Sequence, residues 1–132
     1  MELKCLKWLD DVRQAAELIS KVTDGLSEAD YLVDRFLRCG VERNFEIIGE
    51  ALGRLRKADP GLFARIPDGQ QIVDFRNLII HGYDVIRDAD VWKIVQSDLP
   101  GLRQTVAMLI VEQTAMPNSS PIPLVDGRNP SG

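Results

Sequence analysis

The sequence predicts an all-α protein, an antiparallel bundle of four to five helices, on three observations. Apolar residues recur at spacings of three and four through most of the chain, which is the period of an amphipathic helix. No stretch of useful length alternates between apolar and polar residues, as a half-buried strand would. The connections between the periodic segments are short, and short connections favour antiparallel neighbours.

The first helix is expected to carry one apolar stripe and to end at Gly25. Ser27, followed three residues later by Asp30, is expected to cap the second helix, because the serine oxygen can accept a free backbone N–H. The stripe of the first helix consists of Cys5, Leu9, Val12, Ala16 and Ile19.

A long apolar segment follows, and Gly40 is expected to kink it or split it. Asp59-Pro60-Gly61 is expected to stop it, because proline cannot continue a helix interior. Its apolar positions are Leu32, Phe36, Leu37, Val41, Phe45, Ile48, Leu52 and Leu55.

The next helix is expected to begin at Asp68 or Gly69 and to end at Gly82, a glycine in the usual C-terminal position. Its expected buried face is Ile72, Phe75, Leu78 and Ile79. The last helix is expected over residues 88–110, kinked or divided at Pro100. Its expected inward residues are Val91, Val95, Leu99, Leu102, Val106 and Leu109.

Length and composition indicate one domain. The 132 residues are 45% hydrophobic and 27% charged, which is ordinary for a soluble globular protein. Residues 1–112 are expected to form the bundle. Residues 113–132 are expected to be a flexible tail, because Pro, Ser, Asn and Gly dominate there and leave little to bury.

Charge and cysteine content narrow the class of protein. The net charge of −4 argues mildly against a broad nucleic-acid surface, since Lys and Arg dominate phosphate binding. A small basic cleft stays open, because lysines and arginines concentrate between Arg35 and Arg76. Two cysteines without metal-ligand spacing favour a reduced, cytoplasmic location. No apolar run is long enough for a signal peptide or a membrane span.

The residues most suggestive of chemistry lie in the segment 75–83, FRNLIIHGY. It holds His81, the only histidine, with Arg76 five residues before it and Tyr83 two residues after it. Histidine titrates near neutral pH and is a natural general acid or base. Asn77 and His81 are four residues apart and share a helix face. Arg76 lies about 140° around the axis from His81, so it either curls back or points toward a second subunit.

Ordinary structural roles would also explain these residues. A histidine at a helix C-terminus interacts favourably with the helix dipole. Tyr83 taken alone would more often be a half-buried aromatic residue with a solvated hydroxyl. Trp8 and Trp92 are interpreted as core or interface residues.

The order Arg, four residues, His, one residue, Tyr resembles the signature of the HepT-like branch of the HEPN ribonucleases. Two further blocks resemble that family, VERNFEIIGEA at residues 41–51 and VWKIVQSDLP at residues 91–100. The resemblance covers roughly residues 1–110. It implies a helical bundle that dimerises and brings two copies of the motif into one cleft. It also implies a toxin that cleaves RNA without a metal or other cofactor.

The resemblance implies a role for each motif residue. His81 would be the general acid or base, Arg76 the cation on the phosphate, and Asn77 an orienting or phosphate-contacting group. A two-fold dimer supplies two histidines, which could divide the acid and base roles. The implied partner is a small MNT-type nucleotidyltransferase antitoxin, which would add AMP to Tyr83.

Two groups of acidic residues have structural explanations that are better than a site. Glu46 and Glu50 could form a carboxylate pair, but a solvated face, or salt bridges to Arg43 and Arg54, explains them better. Asp84, Asp88 and Asp90 resemble a metal cluster only loosely, and N-capping explains Asp88 and Asp90 better.

Two other function classes stay open from the sequence. One is a non-catalytic helical subunit that binds or positions substrate for a nucleotidyltransferase. The other is a bundle that binds a small nucleotide as a sensor. Paired His81 side chains across a dimer groove would favour the nuclease over both.

Overall fold

The computed structural model describes residues 2–81 and 87–115, with His81 and Ala115 described by their backbone alone. The described residues are helical and contain no strand, which confirms the all-α prediction. They form more helices than the four to five expected, because two are very short and the last predicted helix is divided. The helices are α1 (Leu3–Thr23), α2 (Glu28–Val33), α3 (Arg35–Ala58), α4 (Pro60–Phe63), α5 (Gly69–His81), α6 (Asp88–Ser97) and α7 (Leu99–Ala115).

The core is built around α3. One side of α3 packs on α1 and another on α5, while α7 packs on α1 and α6. Helices α3 and α5 run antiparallel, because Gly49 contacts Arg76 while Arg56, further along α3, bonds to Gln70 at the start of α5. The predicted inward residues of α1, and those of the last two helices, are all buried. Trp92 is buried, and Trp8 packs against the core from a half-buried position.

The predicted start of α2 is confirmed by a capping box. The Ser27 hydroxyl accepts from the Asp30 backbone N–H at 3.1 Å, and the Asp30 carboxylate accepts from the Ser27 N–H at 2.9 Å. These bonds lower the pKa of Asp30. Gly25 follows the end of α1 with a φ of +77°, a backbone conformation that glycine adopts without steric cost.

The expectation that Gly40 splits the long segment is wrong. Helix α3 continues through Gly40, and the break lies at Asp34. Asp34 closes α2 in extended backbone, and its carboxylate accepts from the Leu37 backbone N–H at 3.0 Å. The side-chain cap thus starts α3 at a point six residues before Gly40. The predicted stop at Asp59 is confirmed, and Asp59 also caps α4 by accepting from Leu62.

Pro100 marks a division of the last predicted segment, as expected. Helix α6 ends at Ser97, and Pro100 is the second residue of α7, where its missing N–H removes no helical hydrogen bond. The predicted capping by Asp88 and Asp90 is wrong, because Arg87 occupies the N-cap position without a side-chain bond.

The first-turn acids of α6 form ion pairs instead of caps. Asp88 pairs with Arg38 of α3 at 3.2 Å, and Asp90 lies 3.6 Å from Arg87. Arg38 also donates to the carbonyl oxygen of Leu32 near the end of α2. The start of α6 is therefore attached to the α2–α3 junction.

Three of the four residues expected on the buried face of α5 are buried, and Leu78 is not. Leu78 is 44% exposed, while Val73 is buried although it was not expected to be. At 100° per residue, Leu78 falls at the edge of the stripe centred on Ile72 and Ile79. Val73 faces α3, where it lines a cleft with Arg76.

Several expectations fall outside the described residues. Gly82 and Asp84 are among them, as are residues 116–132 of the expected tail. Helix α7 runs three residues past the expected boundary at 112. Within the described ranges, no helix combines the length and apolar character that a membrane crossing requires.

Candidate active site

Arg76 lies in the middle of the α3–α5 interface, directly against Gly49. A Cβ atom at position 49 would collide with the Cβ and Cγ atoms of Arg76 and would lie 3.3 Å from its Cδ. The absence of a side chain at Gly49 therefore lets the aliphatic stem of Arg76 rest on the backbone of α3. The stem of Arg76 therefore lies against α3 of the same chain, while its guanidinium reaches Asn77.

Arg76 and Asn77 are joined at the surface of α5. The guanidinium Nη1 donates to the Asn77 Oδ1 at 3.1 Å. Arg76 is half-buried and Asn77 is exposed. The Nε atom of Arg76 is buried and has no hydrogen-bond partner among the described residues. The pair presents a positive group and an amide beside each other, with unused donor capacity on the arginine.

His81 is the last residue of α5, and the described part of it is its backbone. It lies four residues after Asn77, which puts the two positions on one face of the helix. Tyr83 lies outside the described residues. The structure thus brings Arg76 and Asn77 together, and it fixes the position of His81 along the same helix.

A cleft runs between α3 and α5 and begins at Arg76. It is about 220 Å³ in volume, and its charged members are four basic residues and one acid. The protein as a whole carries a net charge of −4, so this cleft is a local reversal of the overall charge. Its lining is Gly49, Glu50, Gly53, Arg54, Arg56, Lys57, Val73, Arg76 and Asn77.

The basic residues of the cleft differ in how firmly they are held. Arg56 donates to Gln70 at 2.6 Å and lies 6.0 Å from the centre of the Phe63 ring. Arg54 pairs with Glu50 at 2.9 Å in an exposed position, where an ion pair contributes only about 0–1 kcal/mol. Lys57 is exposed and forms no ion pair with another described residue.

The salt-bridge interpretation of Glu46 and Glu50 is confirmed. Glu46 pairs with Arg43 at 3.3 Å, and Glu50 pairs with Arg54. Among the residues that the structure describes, no group of three or more His, Cys, Asp and Glu side chains could hold a metal ion.

A second polar cluster lies where α2, α3 and α6 meet. Tyr31 is fully buried and stacks on Trp92 with ring centroids 5.3 Å apart, and its hydroxyl has no hydrogen-bond partner among the described residues. Burial, followed by the charge of Asp88, raises the pKa of the half-buried Glu42, and Arg38 opposes this shift. Burial is also the main cause that raises the pKa of the Tyr31 phenol.

Comparison with known proteins identifies the family. A family model described as "Ribonuclease HepT-like" matches residues 12–109. The chain belongs to the HepT-like ribonuclease family. The family resemblance predicted from the motif and its two flanking blocks is thereby confirmed.

Relatives of the HepT-like chain carry ribonuclease names. The chain is 32% identical over 96 residues to "Probable ribonuclease HepT" of Thermococcus cleftensis, covering 73% of the chain and 86% of the relative. It is 26% identical over 106 residues to a "Putative RNase" of Caldanaerobacter subterraneus, covering 80% and 94% respectively.

A third relative is considerably longer. The chain is 28% identical over 105 residues to "Gamma-glutamylcyclotransferase and putative RNase" of Methanocaldococcus jannaschii. The match covers 80% of the chain and 47% of that protein, so the HepT-like chain spans about half its length. No solved structure matches the chain significantly.

The sequence interpretation missed two parts of this site. Gly49 was not singled out, although it lies in one of the blocks that carry the resemblance. A glycine inside a long amphipathic helix costs about 0.5–1 kcal/mol relative to alanine, which is a signal of close approach. The cleft residues Arg54 and Lys57 were also missed, although the concentration of basic residues between Arg35 and Arg76 was noticed.

Proposed function

We propose that this HepT-like chain is a metal-independent endoribonuclease and the toxin of a cytoplasmic toxin–antitoxin pair. The observation that supports this most directly is the bonded Arg76–Asn77 pair. It opens into a basic cleft and lies on the helix that ends at the only histidine of the chain. Family membership adds the expectation of RNA as the substrate.

The proposed chemistry is an internal transesterification. The RNA 2′-oxygen attacks the adjacent phosphorus and loses its proton to a general base, while the 5′-oxygen leaves with a proton from a general acid. The products are a 2′,3′-cyclic phosphate and a free 5′-hydroxyl. His81 supplies acid–base catalysis, and Arg76 stabilises the negative charge that develops on the phosphate oxygens. DNA lacks the 2′-hydroxyl and is not cut by this route.

The proposed active form is a two-fold dimer. One histidine cannot serve as proton donor and acceptor in the same step, and a dimer supplies two. Val33 and Phe36 support this arrangement, since they are 82% and 91% exposed. Val33 ends α2 and Phe36 lies in the first turn of α3, so both lie at the end of the bundle toward which antiparallel α5 carries His81. Exposed apolar side chains of this kind mark interaction surfaces.

The proposed antitoxin is an MNT-type nucleotidyltransferase that modifies Tyr83. It would transfer AMP from ATP to the phenol oxygen and release pyrophosphate. Tyr83 is two residues from His81, so the added phosphate would repel the RNA phosphate at the site.

A second candidate function is a non-catalytic helical subunit that assists a nucleotidyltransferase. The observation in its favour is the net charge of −4, which is unusual for a protein that binds RNA over a wide surface. The local basic cleft weakens this argument, because it supplies positive charge where the motif lies.

The test is cleavage of single-stranded RNA by the purified protein in excess chelator. We expect cyclic phosphate ends, and a rate that falls about 10²–10⁴-fold in His81→Ala, as is typical for lost acid–base catalysis. A control variant, Lys21→Ala, lies on α1 outside the cleft and should cut normally. Equal cleavage by the parent and His81→Ala would exclude the proposed site. Activity of a species shown to be monomeric by light scattering would exclude the shared dimer site.

A further inference from the structure

The α3–α5 cleft extends away from the motif in one direction. Arg76 contacts Gly49 in the middle of α3, while Arg56 near the end of α3 bonds to Gln70 at the start of α5. The cleft residues of α3 run from Gly49 to Lys57. The cleft therefore leads from Arg76 toward the end of the interface opposite His81.

The floor of this cleft is left open by a second glycine. Gly53 is one helical turn beyond Gly49, and a Cβ atom built on it meets no atom of the described residues within 4 Å. Gly49 thus makes room for the stem of Arg76, whereas no side chain of the described residues fills the space beside Gly53. A glycine inside a helix costs stability, and here it keeps a groove open between basic side chains.

The charge along the groove matches a chain of phosphates. Four basic residues line it against the single acid Glu50, and Glu50 is held in a weak exposed pair with Arg54. Lys57 is eight residues beyond Gly49, about 12 Å along the helix axis. This separation of the two positions along the groove lets Arg76 and Lys57 contact different phosphate groups of one strand.

We propose that the α3–α5 cleft binds the backbone of single-stranded RNA flanking the cleaved phosphate. Arg54 and Lys57 contact neighbouring phosphates, and the strand lies over Gly53. This inference rests on the proposed function, because it assigns the path of the same RNA substrate. Substrate length, and not base identity, is what this surface recognises, since phosphate contacts carry no direct sequence information.

The test compares a long and a short substrate. Gly53→Glu fills the groove with a negative side chain, and Arg54→Gln with Lys57→Gln removes two cations. For both variants we expect kcat/KM on a 12-nucleotide RNA to fall about tenfold more than on a dinucleotide, mainly through KM. In Arg54→Gln/Lys57→Gln, the slope of log affinity against log salt should become shallower by about 0.7 for each lost phosphate contact.

Binding is measured separately in the His81→Ala background, by fluorescence anisotropy of the same labelled 12-nucleotide RNA. Lys21→Gln and Gly101→Glu are the controls. Lys21 is on α1 by the opposite end of α3, and a Cβ at Gly101 also meets open space. Circular dichroism and the melting temperature check that each variant is folded.

The outcomes separate the two proposals. A parent that cuts RNA, with cleft variants that keep the parent's KM and salt slope, would overturn the cleft assignment and leave the nuclease intact. A parent that cuts no RNA would overturn the nuclease. The anisotropy would then decide the cleft alone: weaker binding by the cleft variants than by the controls supports it, and equal binding overturns it.

Discussion

The backbone of Gly49 directly supports the side chain of Arg76, so that the position of the cation depends on a residue that has no side chain. A Cβ atom at position 49 would collide with the first two carbons of the Arg76 side chain. This relationship connects a glycine of α3 to the proposed chemistry on α5.

Gly49→Ala should therefore reduce RNase activity nearly as much as Arg76→Ala. It should also destabilise the fold by about 1–3 kcal/mol, because the new methyl group overpacks the α3–α5 interface. Gly40→Ala is the matched control on the same helix, since a Cβ there meets no described atom within 4 Å; it should keep activity and gain about 0.5–1 kcal/mol of stability, because alanine suits a helix interior better than glycine.

Combining Gly49→Ala with Arg76→Gly shows whether the loss of stability comes from the collision with Arg76 or from the change of residue within α3. Arg76→Gly removes all three carbons that the new Cβ meets, so Gly49→Ala should cost much less stability in that background. Chemical denaturation of the four proteins in this cycle measures the coupling. An equal cost in both backgrounds would contradict the proposed contact.

Asn77→Asp should be more damaging than Asn77→Ala. A carboxylate 3.1 Å from the Arg76 guanidinium would form an ion pair and repel the RNA phosphate. Since hydrogen bonds to charged groups contribute about 1.5–3 kcal/mol, the additional loss should be about tenfold to a hundredfold in kcat/KM. Steady-state kinetics of both variants on one RNA measures which is less active. If Asn77→Ala is less active than Asn77→Asp, the Asn77 amide does not act at the phosphate site.

Tyr83→Phe should retain most RNase activity and escape neutralisation by the cognate nucleotidyltransferase. A phenol with a pKa near 10 is a poor base at neutral pH, so its loss should not stop catalysis. Mass spectrometry after incubation with the partner and ATP should find AMP on Tyr83 in the parent alone. Complete neutralisation of the Phe variant would contradict this assignment.

Tyr31→Phe should leave the protein at least as stable as the parent. The buried hydroxyl has no hydrogen-bond partner among the described residues, and an unsatisfied buried polar group costs about 1–3 kcal/mol. The ring still stacks on Trp92. Urea denaturation gives the comparison, and a clear loss of stability would mean that the hydroxyl is bonded in solution.

Glu42→Gln should stabilise the fold at neutral pH. Burial and the charge of Asp88 raise the pKa of Glu42 in the folded protein. Between the unfolded-state pKa of about 4.3 and the raised folded-state pKa, the folded state therefore binds more protons than the unfolded state. Stability of the parent therefore falls as pH rises through that window. The gain in stability of Glu42→Gln over the parent should shrink as pH decreases below about 4. Thermal unfolding measured across pH checks this, and a gain that grows as pH decreases would contradict the raised pKa.

Much of the fold could be predicted from local patterns, because burial and helical period coincide in α1 and α7. The breaks between helices were harder to predict. A side-chain cap at Asp34 decides where α3 begins, and α3 continues through Gly40. Leu78 shows the same limit, because its exposure depends on which helices pack against α5. Gly49 could not be assigned from the sequence, since its importance arises from a residue 27 positions away.

Helix α1 lies between α3 and α7, which has a consequence for the timing of folding. During synthesis the motif on α5 is complete before α6 and α7 have been made. The apolar stripe of α1 is only partly buried until α7 has been made, so the contacts between α1 and α7 must form last. We therefore expect the nascent chain to remain incompletely packed after its motif has been translated, which delays any activity until the last helix docks.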